Sequence, residues 1–427
     1  MSESGSTAGV ADRLGLKAAG ALGGIALRNP KLGARLTVGV ETVFDTDLAS
    51  DVMAHMRTTD PAAADDFGSA VVRAGSRNVE LAKQYVRRQF KLGDFRPAVE
   101  LREVTKGTRA FRRLADLAQS NLDLLTRGYP LPPRAATSDA VMNSRRVLYF
   151  LHNALPFDSG GYATRAQGIM QGVKREGFDI AAVSRLGYPS DRGKKLDGVD
   201  IRRRYRVDGI DYFNFNDDAR GLGRDPLTTY MAQNIAALTP LARAQNASIL
   251  HGASNFVNGV AANAIARRLG ICSVYEVRGL WEITRRSREP AYVDTDAYRQ
   301  YVRMEAEACR EADWVLTITG ALKDELVARG VPAERITIAP NGVNSERFQP
   351  RLKNIDLMRR LGIADDELVI GYIGSIVDYE GLDLLLTALA EIKAREDDLK
   401  WRCIIVGDGA VHGALKAQAD RLGLNDR

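Results

Sequence analysis

Cysteine and long apolar runs are both scarce in this sequence. Only three cysteines occur in 427 residues, and none belongs to a Cys-x-x-Cys pair or a Cys/His cluster. The sequence therefore predicts no disulfide framework and no metal site, and it favours a reducing compartment. No stretch approaches the roughly 20 apolar residues of a transmembrane helix. We therefore expect a cytoplasmic protein, with peripheral contact at the inner face of the plasma membrane left open.

Charge of one sign is not concentrated in the chain either. The formal net charge is +6 over the whole sequence. An anionic substrate or a membrane surface would suit that excess, but solvated helix faces explain it more simply, and no nucleic-acid partner is predicted. Hydrophobic residues at 45% and charged residues at 27% are usual for a globular protein. At about 150 residues per domain, the length predicts two or three domains.

The first 143 residues predict a helical region that ends in a linker. Glycine and proline divide this part into short helical segments, and the stretch Gly128–Ser138 contains three prolines. We therefore expect a domain boundary near residue 140. The helical region is interpreted as a cap on the next domain, with a partner-binding or positioning module as the alternative; its protein partner is unknown.

A strand, a glycine loop and a helix follow this linker. Val147–Leu151 is an uncharged apolar run, as a strand buried on both faces requires. Gly160 and Gly161 interrupt the chain before a predicted helix over Ala163–Glu176. Such a loop presents backbone N–H groups beside a helix N-terminus, which is favourable for a phosphate. Paired glycines more often serve only a turn, so the pattern alone is a weak indication.

Strands alternate with helices through residues 144–344, which predicts βαβ units and a parallel sheet. Ligands of such sheets bind beyond the carboxyl ends of the strands. The residues expected just past those ends are the candidates for ligand contact: His152, Asn153, His251, Arg278 and Trp281.

The tract Glu276-Val-Arg-Gly-Leu-Trp-Glu282 sets two acids, an arginine and an indole at the end of one predicted strand. Arg278 would offer a fixed cation to a phosphate or a sugar carboxylate, and Trp281 a flat apolar face to a sugar ring. A surface loop with its own salt bridges is the alternative interpretation.

Three later tracts together resemble the core of the family 4 retaining glycosyltransferases. They are Trp314-Val-Leu-Thr-Ile-Thr-Gly-Ala-Leu, Ile336-Thr-Ile-Ala-Pro-Asn-Gly-Val-Asn-Ser-Glu-Arg-Phe348 and Val369-Ile-Gly-Tyr-Ile-Gly-Ser. The resemblance covers about residue 145 onward. It implies the GT-B architecture of two Rossmann-like domains, here residues 144–344 on the acceptor side and residues 345–427 on the donor side. It also implies sugar transfer from a nucleotide-sugar donor with retention, without a cofactor or a bound metal.

Site residues are carried over from that resemblance position by position. Gly160 and Gly161 match the family's first glycine loop, and Gly374 and Gly381 match the glycines of the second-domain loop. Where the family commonly has an arginine and a lysine, this chain has Ser375 and Glu380. Arg278 stands where the family often has a histidine. These departures resemble a subgroup associated with bacterial surface polysaccharides.

Only 83 residues follow Asn344, and the acidic Glu-x7-Glu element that the resemblance implies would lie beyond Arg427. A doubly wound domain needs more strands than this stretch supplies. We therefore expect a partial second domain, from either a fragment or a truncated product.

The favoured hypothesis is a glycosyltransferase that acts on a glycan or lipid-linked acceptor in surface-polysaccharide synthesis. The alternative is a non-catalytic GT-B module that binds a glycan or protein partner. A nicotinamide-dependent oxidoreductase is disfavoured because the loop lacks G-x-G-x-x-G spacing. The predicted site comprises catalytic Arg278, Glu276 and His152; donor- or phosphate-binding Gly160, Gly161, Tyr162, Arg165, Gly374, Ser375, Glu380 and Gly381; and acceptor-binding Asn153, His251, Trp281 and Glu282.

Overall fold

The computed structural model describes residues 19–44, 48–76, 78–105, 108–136, 145–191, 201–215, 226–346, 348–395 and 399–427. The chain divides into two compact units, the first ending at Asn341 and the second beginning at Gly342. The boundary predicted near residue 140 lies outside the described residues.

The N-terminal part of the first unit is helical. Asn78 accepts a hydrogen bond from Leu81 N at the start of one helix, and Gly93, with φ 104°, ends it in the left-handed region. Buried alanine, methionine and valine side chains pack around Phe67 to form the core of the earlier helices. The helices of this part are residues 19–28, Pro30–Phe44, Leu48–Arg57, Pro61–Arg73, Val79–Leu92, Arg96–Glu100 and Arg109–Arg127.

An eight-stranded sheet forms the rest of the first unit, with strand order β3-β4-β2-β1-β5-β6-β7-β8. All neighbours are parallel except β3 and β4, which form an antiparallel pair at one edge. The strands are Arg146–Leu151 (β1), Asp179–Ser184 (β2), Arg204–Val207 (β3), Ile210–Phe213 (β4), Ile249–Ala253 (β5), Cys272–Val277 (β6), Trp314–Thr317 (β7) and Ile336–Ile338 (β8).

Helices cover both faces of this sheet, because β1 is apolar on both. Tyr149 and Leu151 pack with Met170 on one face, whereas Leu148 and Phe150 pack with Ile265 on the other. The helices of this layer are Gly161–Arg175, Leu227–Ala244, Phe256–Leu269, Trp281–Arg288, Asp296–Glu311 and Gly320–Ala328.

The N-terminal helices pack directly against helix Asp296–Glu311. Asp296 accepts a hydrogen bond from Phe95 N at 3.1 Å, and Gln300 donates to the Asn121 side chain at 2.9 Å. The described part of the predicted linker is also bound to the sheet layer. Arg134 pairs with Asp313 at 2.8 Å, and Tyr129 N donates to Glu307 at 2.9 Å. The proline-rich segment therefore docks along the α/β layer, because its extended backbone leaves groups free to bond there.

The second unit contains two parallel strands, Leu368–Ile373 (β9) and Trp401–Val406 (β10). The buried indole of Trp401 packs with leucines of the helix Leu382–Arg395. Gly407 and Gly409 lie against the backbone of the loop that follows β9; a Cβ on Gly409 would lie 2.0 Å from Ile376 O. The other helices of this unit are Ile355–Arg360 and His412–Arg421.

The predicted fold class is confirmed: an α/β chain with a parallel-dominated sheet, a helical N-terminal region and a second, smaller α/β unit. Two interpretations from the sequence are corrected. His251 lies inside β5 and not beyond its end, and the tract that contains Trp281 is not the surface loop of the alternative interpretation, because Trp281 begins a helix past the end of β6. The β3–β4 hairpin and helix Leu227–Ala244 were not predicted from the sequence. No helix among the described residues is long and apolar enough to cross a membrane.

Candidate functional site

The candidate site lies at the carboxyl edge of the sheet, where β1 separates β2 from β5. The chain leaves β1 toward β2 on one side and later returns to β5 on the other side. Such a reversal of strand order opens a crevice beyond the strand ends, which is where ligands of open α/β sheets bind. The loops after β1, β5 and β6 surround this point.

The glycine bend, defined as Gly160–Gly161, caps the helix that follows β1. Gly160 is the N-cap residue of helix Gly161–Arg175, and its N–H donates to Asp158 Oδ1 at 2.8 Å. Both glycines are exposed, and a Cβ added to Gly161 would meet nothing within 4 Å. The first N–H groups of a helix have no partner inside it, so the bend presents donors at the positive end of a helix dipole.

A buried carboxylate lies beneath this bend. Glu276, at the end of β6, is fully buried and receives Arg165 Nε at 2.9 Å and Arg278 Nη2 at 3.0 Å. The Tyr149 hydroxyl on β1 also donates to Glu276, and Arg278 donates to the Tyr149 oxygen. We call Tyr149, Arg165, His251, Glu276 and Arg278 the buried cluster.

The ionisation states of the buried cluster follow from its contacts. Burial by itself would raise the pKa of Glu276, but Arg278, His251 and the hydrogen bonds from Arg278 and Tyr149 lower that pKa to about 2. Burial, reinforced by the two arginines, lowers the pKa of His251 to about 4, so its imidazole is neutral at pH 7. Two guanidinium cations thus face one carboxylate, and the buried cluster carries one net positive charge.

Arg278 connects that charge to the bend. Its side chain is only 4% exposed, and Nη1 donates to the carbonyl of Tyr162, the second residue of the helix, at 2.7 Å. Arg278 N also donates a hydrogen bond to Ser254 Oγ at 2.9 Å. The guanidinium therefore holds the first turn from below, and in this structure neither Arg278 nor Glu276 presents a surface for direct ligand contact.

Each of the three nitrogens of the Arg165 guanidinium donates at least one hydrogen bond. Besides Glu276, its Nη1 donates to Pro340 O at 3.1 Å and Asn341 Oδ1 at 2.9 Å, and its Nη2 donates to Ala339 O at 2.7 Å. A role for Arg165 in phosphate binding stays a prediction, and the observed contacts bind protein groups only.

Aromatic side chains line the exposed side of the same edge. Trp281 Nε1 lies 3.4 Å from the Tyr162 hydroxyl, and the His152 ring meets the Trp281 ring edge-on at 5.2 Å. Asn153 is half-buried in the same loop as His152. The structure thus brings the glycine bend, His152, Asn153 and Trp281 to one edge. His251 instead stacks its buried ring on Tyr149 at 4.0 Å.

Glu282 lies on the other side of the sheet edge. It is 1% exposed, and Arg329 Nη1 donates to its Oε1 at 2.7 Å. Nearby, Glu305 accepts hydrogen bonds from Tyr275 Oη at 2.5 Å and Phe256 N at 2.9 Å. Burial and the charge of Glu282 raise the pKa of Glu305 to about 8. Acceptor binding by Glu282 stays a prediction for a carboxylate that is enclosed here.

Three residues near the sheet edge were not predicted from the sequence: Tyr149, Glu305 and Arg329. A tyrosine hydroxyl inside a buried apolar strand needs a partner, so Tyr149 carried a usable signal. Glu305 and Arg329 carried none, because an acid and an arginine on charged helices usually face water.

The residues of the second unit that were predicted to bind the nucleotide-sugar donor follow β9. The Tyr372 hydroxyl donates to Ser375 O at 2.8 Å, and Gly381 has φ 71° just before helix Leu382–Arg395. Gly374 and Glu380 lie in the same loop. This unit therefore repeats the order strand, glycine-containing loop, helix. No group of three or more His, Cys, Asp or Glu residues in the described part of the chain could hold a metal ion.

Comparison with known families gives two adjacent matches. Residues 160–342 match the family described as Glycosyl transferase 4-like domain, and residues 354–427 match Glycosyl transferases group 1. The first match begins at the glycine bend, and together the two cover more than half of the chain.

Two individual relatives share 23% and 31% of their residues with this chain in the matched regions. An uncharacterised glycosyltransferase of Methanocaldococcus jannaschii is 23% identical over 274 residues, which cover 63% of this chain and 64% of that protein. The D-inositol 3-phosphate glycosyltransferase of Stackebrandtia nassauensis is 31% identical over 180 residues, 40% of each chain. The chain thus spans less than two thirds of the length of these relatives. Sucrose-phosphate synthase from Thermosynechococcus elongatus shares the fold, with a TM-score of 0.53 and 15% identity over 66% of this chain and 69% of that chain.

Proposed function

We propose that this chain, a member of the glycosyltransferase superfamily, transfers a sugar from a nucleotide-sugar donor to a glycan or lipid-linked acceptor with retention of configuration, in surface-polysaccharide synthesis. The proposal needs no cofactor and no metal. It assigns the protein to the cytoplasmic side of the membrane, where nucleotide sugars and lipid-linked acceptors meet.

One observation carries this proposal: the exposed glycine bend lies directly above a buried cluster with a net positive charge. Transfer breaks the bond between the anomeric carbon and the phosphate oxygen of the donor, and the diphosphate leaves with the electron pair. An acceptor hydroxyl oxygen forms the new bond to the anomeric carbon, and its proton passes to the departing diphosphate. Groups that stabilise this developing charge lower the barrier. The free N–H donors of Gly161 and Tyr162 suit a phosphate oxygen, and Arg278 keeps them in place through Tyr162 O.

The buried charge acts on that phosphate without contact. A guanidinium shielded from water loses little of its field to solvent screening, so its attraction for an anion at the bend is stronger than that of a surface lysine. Trp281 and Tyr162 provide the apolar faces on which a sugar ring can stack. In this proposal the backbone amides and Arg278 stabilise the diphosphate, and the aromatic side chains bind a sugar.

The experiment combines donor turnover with a matched pair of glycine substitutions. We expect release of a nucleoside diphosphate from at least one member of a panel of UDP-, GDP- and dTDP-sugars supplied with lipid-linked acceptors. In Gly161→Asp the new carboxylate would occupy the anion position, whereas its fold is favoured because acids stabilise a helix N-terminus. Gly168→Asp is the control, since Gly168 lies on the same helix and its added Cβ also meets nothing within 4 Å.

We expect Gly161→Asp to weaken binding of the free nucleoside diphosphate by about a hundredfold, equivalent to about 3 kcal/mol, while Gly168→Asp binds normally. Equal binding by both variants, measured by calorimetry, would contradict the assignment of the bend. Absence of turnover and binding with every donor would contradict the transferase proposal as a whole. Four residues of the second unit are also proposed to bind the nucleotide-sugar donor: Gly374, Ser375, Glu380 and Gly381. Substitutions at these residues are tested by the same calorimetric measurement of nucleoside diphosphate binding.

A further inference from the structure

Arg165 joins three parts of the first unit that are far apart in sequence. It lies one turn inside the helix that starts at the glycine bend, and it binds Glu276 at the end of β6. Its remaining N–H groups bind the exit tract, defined as Ala339–Asn341, the last residues of the first unit. Glu276 lies 111 residues after Arg165 in the sequence. The exit tract lies 174 to 176 residues after Arg165.

We infer that Arg165 is a positioning residue that fixes the exit tract to the glycine bend. The planar fork serves four oxygens at once, one from the Glu276 carboxylate and three from the exit tract, and among side chains only arginine has that arrangement of donors. The side chain is 12% exposed; its bonds to Glu276 and Ala339 are partly buried, whereas those to Pro340 and Asn341 lie at the surface. The chain leaves the first unit at a place set by the same helix whose N-terminus faces the proposed anion.

Arg165 and Arg278 bind different oxygens of the same carboxylate, that of Glu276. Glu276 Oε1 receives Arg165, whereas Oε2 receives Arg278, which holds the carbonyl of Tyr162. The bend and the exit tract are therefore braced against opposite oxygens of one buried group. A shift of the bend changes the position of Arg165 directly, because both belong to one rigid helix. This part of the inference rests on the proposed function, since it supposes an anion at the bend.

Hydrogen exchange resolved by mass spectrometry tests the inference. In Arg165→Met the long apolar stem is kept and all five donors are lost. We expect exchange in peptides spanning residues 339–346 of the ligand-free protein to rise about tenfold, the effect of losing at least one charge-assisted hydrogen bond. Arg165→Lys, which keeps the charge but lacks the fork, should give an intermediate increase.

Arg175→Met is the matched control, because Arg175 is an exposed arginine in the last turn of the same helix. It should leave exchange in residues 339–346 unchanged. If Arg165→Met also leaves that exchange unchanged, the inference is overturned. The same holds if exchange rises equally over the whole first unit, since a general loss of stability would then explain the result.

A second measurement separates this inference from the proposed function. Inorganic pyrophosphate added to the unmodified protein should slow exchange at both the bend and the exit tract, and in Arg165→Met only at the bend. A response of the exit tract that persists in Arg165→Met overturns the inference. If the bend does not respond in the unmodified protein, the anion site of the proposed function fails, and the ligand-free comparison still decides the role of Arg165.

Discussion

Replacing Glu276 by glutamine removes one buried negative charge and leaves both of its arginines in place. The amide has nearly the same shape, but its nitrogen cannot accept the hydrogen bonds that one carboxylate oxygen now accepts. In the structure those bonds come from Arg278 and the Tyr149 hydroxyl on one oxygen and from Arg165 on the other. The variant therefore confines two guanidinium cations around a neutral group.

The size of the effect follows from the pKa of Glu276. That pKa is lowered from 4.5 to about 2, and each unit corresponds to about 1.4 kcal/mol. The ionised carboxylate thus contributes about 3 kcal/mol to folding at pH 7, an order-of-magnitude value. Removal of one partner from a buried ion pair costs about 3 to 5 kcal/mol, which agrees with it. We therefore expect Glu276→Gln to lose about 3 kcal/mol of stability in the first unit.

Hydrogen exchange at increasing urea, followed in peptides from β1, β5 and β6, measures this loss in the first unit separately from the second. Because folding lowers the pKa of Glu276, its stabilisation is complete above about pH 4.5 and is lost as the pH falls toward 2. The difference between the unmodified protein and Glu276→Gln should therefore shrink over that acid range.

Glu289→Gln is the control, since it removes an exposed acid that pairs with Arg285 within one helix region. Exposed pairs of this kind contribute about 0.5 kcal/mol or less. The reasoning is refuted if Glu276→Gln costs no more than Glu289→Gln, or if its cost is the same at pH 3 and pH 7. Either result would mean that the two arginines are stable without a shared anion.

Two further predictions concern the opposite face of the sheet. Folding raises the pKa of Glu305 to about 8, so the contribution of Glu305 to stability is complete below about pH 4.5 and is lost as the pH rises toward 8. Glu305→Gln should therefore stabilise the first unit at pH 8 and flatten the pH dependence of urea unfolding. A variant that is less stable than the unmodified protein at pH 8 would contradict this. Gly259→Ala should cost about 1 to 3 kcal/mol, because its Cβ would lie 2.7 Å from the Tyr275 ring. Gly168→Ala, with open space, should instead stabilise its helix by about 0.5 to 1 kcal/mol. Equal changes in melting temperature for the two alanine variants would show that packing at Gly259 is not close.

The sequence predicted local elements well where one pattern decided them. The apolar run before Gly160 required a buried strand, and the structure has β1 there with helices on both faces. The hairpin β3–β4 carried no comparable apolar run: its strands have only four residues each, and β3 buries none of its side chains fully whereas β4 buries two. Trp281 was predicted past the end of a strand, but the helix that it begins was not predicted, because no capping side chain precedes it.

The sheet edge at which the candidate site lies could be predicted from the sequence, but the hydrogen-bond partners of its charged residues could not. Strand order placed Arg278, His152 and the glycine bend at one edge, since parallel strands share their carboxyl ends. The partners of each charge depend on contacts such as Tyr149 with Glu276, which are 127 residues apart. No spacing rule reaches over that distance, so Arg165 and Arg278 were both interpreted as cations that face a ligand.

Burial changes what these charged residues can do. A buried carboxylate without partners would take up a proton, and two buried arginines without an anion would repel each other and cost free energy. Glu276 resolves both problems only if it stays ionised, and Arg278, His251 and the hydrogen bonds from Arg278 and Tyr149 hold its pKa low, which favours the ionised form. Its charge is then committed to holding Arg165 and Arg278 in fixed positions, one toward the exit tract and one toward the glycine bend. The groups that remain available to an anion are the backbone donors at the bend, and their placement depends on a carboxylate that is itself fully buried.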